Sequence, residues 1–386
     1  MSGLIIGLTG AFGSGTSYVA DKFLVSEMGY EKLSLSTILK EKYAEKYGQT
    51  EPSRSELQRY GNELRKENPK ILAEEVSKLI QDGKKYVIDS IRNPKEIAYF
   101  REKYTNFILI GVFASFNTRW KRVKVKYRSD QGQFEIDDEK DRGATEPEYG
   151  QKILDCFFES DLVISNEEDL TDYDLLKGKL QTIEHYIKAF DDPYSSRPQI
   201  DEIMMTEAYI SGRRSLCLKR KVGAVIANKK KMIVGSGCNA VPMGQQECLV
   251  KYNSCYRDRK RNELAEKLFN LLSADECLKE ESFKNGFKEN VKLLDYCRAL
   301  HAEESAIVGL VGTGLDLDES TIYVTTHPCN LCANKIVQSG IKRVVYFEPY
   351  PVIEAQKILK DAGIESKPFE GVTFRAFFKA YKYKPS

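Results

Sequence analysis

Across residues 1 to about 190, short apolar runs alternate with longer stretches of helical period, and this alternation restricts the chain's folding choices most. LIIGLTG, KYVIDSI, NFILIGVFA and SDLVISN read as buried strands bounded by Gly, Asp, Asn or Ser, with helix-patterned segments between them. Strands separated in this way imply a parallel sheet wrapped by helices. AFDDPYSSRPQ, with its two prolines and two serines, then breaks the pattern and places a linker at 191–199, between a domain at 1–190 and another at 200–386. The second domain opens with helix-like IDEIMMTEAYISGRRS. A hairpin follows, VGAVIA and MIVGSG around the turn NKKK, and then the alternation HAEESAIVGLVG, STIYVTTHP, CNLCANKIVQSG, IKRVVYF. A charged, less periodic insertion at about 242–296 separates the hairpin from that alternation.

A length of 386 residues exceeds one ordinary domain and leaves each half enough chain for its own core. With 41% hydrophobic and 30% charged residues and no apolar run of membrane-spanning length, the expectation is a soluble protein without membrane contact. The start carries no secretory pattern, which points to the cytoplasm. Nine cysteines, two of them in a C-x-x-C pair, suit metal binding in a reducing compartment better than a disulfide framework. A net charge of +2 argues against a general polyanion binder.

The chemistry is written most plainly at His301-Ala302-Glu303 and Pro328-Cys329-Asn330-Leu331-Cys332. One imidazole and two thiolates fill three of the four tetrahedral positions that Zn²⁺ prefers and leave the fourth for water, whereas a structural site closes with a fourth protein ligand. The metal lowers the pKa of that water towards neutrality. Glu303, not a ligand, is then available to carry protons between water, a ring nitrogen and a departing amine. The set matches the H-x-E…P-C-x-x-C signature of the zinc deaminases of nucleobases. The alternative is a capped core helix at His301 beside a structural knuckle at the cysteines.

A second motif, GAFGSGTS at 10–17, follows the first strand and precedes a helical stretch. Gly10, Gly13 and Gly15, with Ser14 among them, allow backbone N–H groups to converge on an anion, as in G-x-x-x-x-G-K-[ST]. Ser17 stands where a hydroxyl would meet Mg²⁺, and Asp89 ends its strand where an acid would hold the hydrated metal. Thr16, however, occupies the lysine position. Three readings follow: a nucleotide-binding regulatory domain, a phosphotransferase in which Arg92 or a lid arginine replaces the lysine, and a loop that merely packs.

From about Ile200 to Tyr383 the chain resembles the deoxycytidylate deaminase family in VGAVIANKKKMIVGSGCNAVP, HPCNLCANKIVQSGIKRVVYFEPY and GVTFRAF. The resemblance implies a nucleotide-contacting Asn239, a base-proximal Tyr350 and phosphate contacts near Arg213-Arg214 and Lys219-Arg220-Lys221; the alternatives are a turn cap at Asn239, core packing at Tyr350 and a solvated helix face for the basic clusters. It also offers Cys248, Cys255 and Cys297 as ligands of a second, structural zinc, with shielded free thiols as the alternative. RWKRVKVKYRSD, with Arg119, Arg122 and Arg128, resembles the basic lid of nucleoside monophosphate kinases. The fusion of both halves resembles the anti-phage dCTP deaminases of bacteria. That implies an α/β fold: an N-terminal P-loop kinase-like parallel sheet and a C-terminal cytidine deaminase-like α/β/α sandwich. It further implies conversion of dCTP or dCMP to deoxyuridine nucleotides in antiviral defence, a regulatory nucleotide with Mg²⁺ at the loop, and a homo-oligomer. An RNA or protein partner that restrains activity is left open. The rivals are a polynucleotide-editing cytosine or adenine deaminase and a phosphotransferase with a deaminase-like module.

Overall fold

The structure, a computed structural model, describes residues 3–48, 51–142, 148–167, 173–272, 280–291, 293, 296–348 and 352–382. Its strands are β1 (Ile5–Thr9), β2 (Glu31–Ser34), β3 (Tyr86–Asp89), β4 (Phe107–Phe113), β5 (Leu162–Ser165), β6 (Gly223–Ala227), β7 (Ile233–Cys238), β8 (Thr321–Val324), β9 (Arg343–Tyr346), β10 (Glu365–Pro368) and β11 (Gly371–Val372). The chain divides into two compact units, Met1–Ile203 with Pro368–Ser386, and Met204–Lys367. No helix among the described residues is long and apolar enough to cross a membrane.

The first unit has the parallel sheet expected from the alternation, β5-β4-β1-β3-β2, with β11 added antiparallel at the β5 edge. β1, β3, β4 and β5 are mainly apolar because both faces are covered. Ile6, Leu8, Val87, Ile108 and Ile110 enter one core, while Ile5, Ile88, Phe107 and Leu109 enter the other. β2 carries no apolar run, only EKLS, yet pairs in register with β3, Ser34 opposite Asp89. The loop Gly10–Gly15 leaves the carboxyl end of β1, next to the end of β3, which is where open parallel sheets hold ligands.

The sequence division at residue 200 is redrawn at the C-terminus. GVTFRAF does not belong to the second unit, because β11 pairs antiparallel with β5 of the first, Gly371 opposite Val163. Val372, Ala376, Ala380 and Tyr381 join the core that contains Ile183 and Ile187. The buried Glu202 carboxylate fixes this segment by accepting hydrogen bonds from Val372 N (2.7 Å), Tyr381 Oη (2.7 Å) and Gln199 N (2.6 Å). The boundary between the units therefore falls inside the helix Ile200–Gly212.

The second unit is a mixed sheet, β10-β9-β8-β6-β7, with β6 antiparallel to both β7 and β8 and β8 parallel to β9. Alternate residues Ala224, Ile226, Ile322, Val324 and Val344 share a core with the helices Ala302–Val308, Asn330–Gln338 and Ile353–Asp361. Gly237 permits the first of these helices to lie on β7: a Cβ there would stand 2.4 Å from Ala306 N. The insertion at 242–296 is helical where described, in Cys248–Tyr252, Tyr256–Leu272 and Glu280–Asn290.

Candidate active site

Three short segments of the second unit converge. His301 is the N-cap of the helix Ala302–Val308 and Cys329 the N-cap of Asn330–Gln338, with Cys332 in the first turn of the latter. His301 Nδ1 lies 3.4 Å from Cys329 Sγ and 3.3 Å from Cys332 Sγ. Tetrahedral zinc with ordinary Zn–N and Zn–S bonds needs such edges to be about 3.6 Å. Among the described residues, these three form the one group of potential metal ligands whose donor atoms all lie within 4.8 Å of one another. Both the donor set and its spacing fit zinc.

Electrostatics agree with that assignment. Hydrogen bonds from Cys332 and from His301 pull the Cys329 thiol down to about 3, while the bond to Cys329 and burial push Cys332 up. Two sulfurs held this close retain one proton between them, and a dication favours replacing it. Glu303 is 3% exposed, and burial pushes its carboxyl up to about 7. A carboxyl poised near neutrality both accepts and returns protons readily.

Two further residues support the ligands. Glu304 accepts Lys335 Nζ at 2.6 Å and His301 N at 3.3 Å, joining the two ligand-bearing helices. His327 is buried; its ring faces the backbone oxygen of Pro328 from Nδ1 at 2.8 Å and packs edge-on against Tyr346. Burial lowers its pKa to about 4, so the ring is neutral and its unpartnered Nε2 carries a lone pair. The i, i+3 spacing of His301 and Glu304 is visible in the sequence, but its partner Lys335 is not.

Other expected residues fall differently. Asn239 Oδ1 accepts Val222 N at 2.8 Å and Nδ2 donates to Arg220 O at 2.8 Å, so the amide closes a turn with part of its capacity. Tyr350 lies outside the described residues. Cys248, Cys255 and Cys297 are partly buried free thiols and join no ligand group among the described residues. In the basic clusters, Lys219 pairs with Asp258 and Arg220 with Glu348.

In the first unit, Gly13 and Gly15 are left-handed at φ 84° and 87°, and a Cβ on Gly15 would sit 2.3 Å from Asn166 Nδ2. Ser17 Oγ donates to Asp89 Oδ2 at 2.6 Å. Thr16 opens the short helix that follows the loop. Two lid arginines are occupied elsewhere. Arg119 is fully buried against Asp138, and Arg122 donates to the backbone oxygens of Ser14 and Asn166, bracing the loop from its own chain. Arg92 reaches Gln151.

Residues 198–348 match the family model for the cytidine and deoxycytidylate deaminase zinc-binding region. The deoxycytidylate deaminase of Mycobacterium phage D29 is 32% identical over 151 residues, covering 39% of this chain and 96% of its own length. The chain belongs to the cytidine and deoxycytidylate deaminase family. The deoxycytidylate deaminase of Schizosaccharomyces pombe is 30% identical over 179 residues, 46% of each chain, so the match spans less than half the length of that relative. The shikimate kinase of Bacteroides thetaiotaomicron, a solved structure, aligns over 48% of this chain and 98% of its own at 13% identity and a TM-score of 0.32. As a deaminase family member the chain places the signature's histidine and cysteines within one ion's reach and keeps its glutamate buried in the same unit.

Proposed function

We propose that the chain hydrolytically deaminates free deoxycytidine nucleotides, dCMP or dCTP, to the corresponding deoxyuridine nucleotides. The supporting observation is His301 Nδ1 within 3.4 Å of both cysteine sulfurs, with the Glu303 carboxyl buried in the same unit. His301, Cys329 and Cys332 would hold a zinc ion, which would acidify water and polarise the reacting centre. Glu303 takes a proton from the incoming water and delivers it to ring N3 as the oxygen bonds to C4, then takes the proton of that C4 hydroxyl and hands it to the amine as the C4–N bond breaks and the C4 carbonyl forms. The base becomes uracil, still joined to its sugar, and the nitrogen leaves as ammonia. Glu304 and Lys335 hold the ligand-bearing helices in register, which fixes the histidine relative to both thiols. Asn239 and Tyr350 contact the nucleotide, and the basic residues around 213–221 face its phosphates.

The first unit, in this reading, binds a nucleotide at Gly10–Ser17 and regulates the second, and the activity serves antiviral defence by depleting cytosine deoxynucleotides. Relatives named deoxycytidylate deaminases and a net charge of +2 favour a free nucleotide over a polynucleotide. The test is ammonia release from dCMP, dCTP, CMP and a cytosine-containing oligonucleotide, side by side. Turnover confined to the deoxynucleotides is expected; turnover of the oligonucleotide alone would replace this reading with base editing.

A further inference from the structure

The Gly10–Ser17 loop keeps its glycines and loses its lysine, and a cation from another strand lies beside Asp89, the acid that pairs with its Ser17. Lys32, on β2, places Nζ 3.9 Å from Asp89 Oδ2, the same oxygen that accepts Ser17 Oγ at 2.6 Å. Its closer partner is Asp21 at 2.8 Å, whose side chain is 60% exposed. The strand register explains the placement. Ser34 stands opposite Asp89, and Lys32, two residues earlier, projects to the same face of the sheet.

Two further observations show that the loop is built around something it does not itself supply. Asp89 is 2% exposed, yet its Oδ1 has no hydrogen-bond partner; Ser14, in the loop, is 1% exposed with an unpartnered Oγ. Buried polar atoms are nearly always satisfied, and the orphaned carboxylate oxygen of Asp89 points to a cation beside the Ser17–Asp89 bond, such as Mg²⁺ accompanying a phosphate chain. The local charge balance also favours a movable ammonium. A pair to an exposed carboxylate is weak, and a four-carbon stem lets Lys32 leave Asp21 for a more highly charged phosphate.

We infer that Lys32 supplies the positive charge that Thr16 cannot, so that the phosphate chain of a nucleotide is held between the Gly10–Ser17 backbone and the Lys32 ammonium. This rests on the proposal that the loop binds nucleotide. It turns the loop from a degraded motif into one whose cation has moved from the helix start to β2, the strand beside β3. An ammonium approaching from β2 serves ground-state binding. It does not reproduce the position from which the usual lysine meets the transferring phosphoryl group.

The experiment is calorimetric titration of the full chain with ATP, which has no cytosine to deaminate, in buffer with Mg²⁺. The unmodified chain should bind one ATP, and Gly15→Val should not. Lys32→Gln should weaken binding about tenfold or more, the loss of one charge-assisted contact, and Thr16→Lys on that background should restore most of it. Thr16→Lys alone should gain less than it restores, because the charge is already present; this variant keeps the test valid should Lys32→Gln fail to fold. Equal affinity in Lys32→Gln and the unmodified chain overturns the role of Lys32 while leaving the loop as the site. So does failure of Thr16→Lys to restore Lys32→Gln. No binding by the unmodified chain, or equal binding by Gly15→Val, overturns the loop reading and this inference with it.

Discussion

The two units differ in where their functional groups come from along the chain. In the second, the metal ligands and the proton carrier sit on two helix starts within 32 residues, from His301 to Cys332, each fixed by the local turn that carries it. In the first, the loop is local, but its acid, its bracing arginine and the ammonium beside that acid arrive from β3, from the helix Phe116–Val123 and from β2. A site made of adjacent turns keeps its composition or loses its chemistry. A site assembled from several strands can exchange one contributor for another, as Thr16 and Lys32 illustrate.

The largest effect should be in the second unit. Glu303→Ala should retain about one zinc per chain and lose deamination by at least about 10² to 10⁴, the usual contribution of a positioned acid-base group. Cys329→Ala should lose both zinc and activity. Metal analysis beside an ammonia assay checks both, and a Glu303→Ala variant that still turns over would remove the distinction between ligand and proton carrier.

Next comes the first unit's dependence on its C-terminal strand. Glu202→Ala removes the acceptor for Val372 N, Gln199 N and Tyr381 Oη, and a stranded buried donor costs about 1–3 kcal/mol. Denaturant melts should show that loss in the transition of the first unit, with zinc content retained. Unfolding curves that coincide with those of the unmodified chain would show that β11 is dispensable.

A smaller effect is pH-dependent. Burial raises the Glu202 pKa above 4.5, so the folded state favours the neutral acid more than the unfolded state does. The stability from this group is fully present below about 4.5 and is lost as pH rises through the folded value. Glu202→Gln should therefore flatten the decline in melting temperature as pH rises above 4.5 relative to the unmodified chain; parallel profiles would assign the decline to other groups. The smallest effect belongs to Lys335→Met. Its pair with Glu304 is 41% exposed on the lysine side, and such pairs contribute about 0.2–1 kcal/mol. A few-fold drop in turnover with zinc retained is expected, and complete loss of zinc would make the pair part of the metal site itself.

The contrast also explains what could be read from residues alone. His301, Glu303, Cys329 and Cys332 were legible because the chemistry dictates both residue type and spacing. So were β1, β3, β4 and β5, whose two buried faces demand continuous apolar runs. β2 was not legible, since EKLS earns its place by pairing with β3 rather than by apolarity. GVTFRAF was assigned to the wrong unit because its partner, β5, lies some 200 residues upstream and nothing local marks that pairing. Lys32 was missed for the same reason: its relation to Asp89 exists only in the sheet register.

The central claim is that the second unit holds a complete reactive site while the first holds a loop suited to binding. The most direct measurement follows ammonia and inorganic phosphate together in one reaction of the purified full chain with dCMP, dCTP and ATP. Zinc-dependent ammonia release is expected, abolished in Glu303→Ala, with phosphate release far below the roughly 1–100 s⁻¹ of ordinary kinases. Phosphate release at such rates, lost in Gly15→Val and accompanied by no ammonia from either deoxynucleotide, would contradict it.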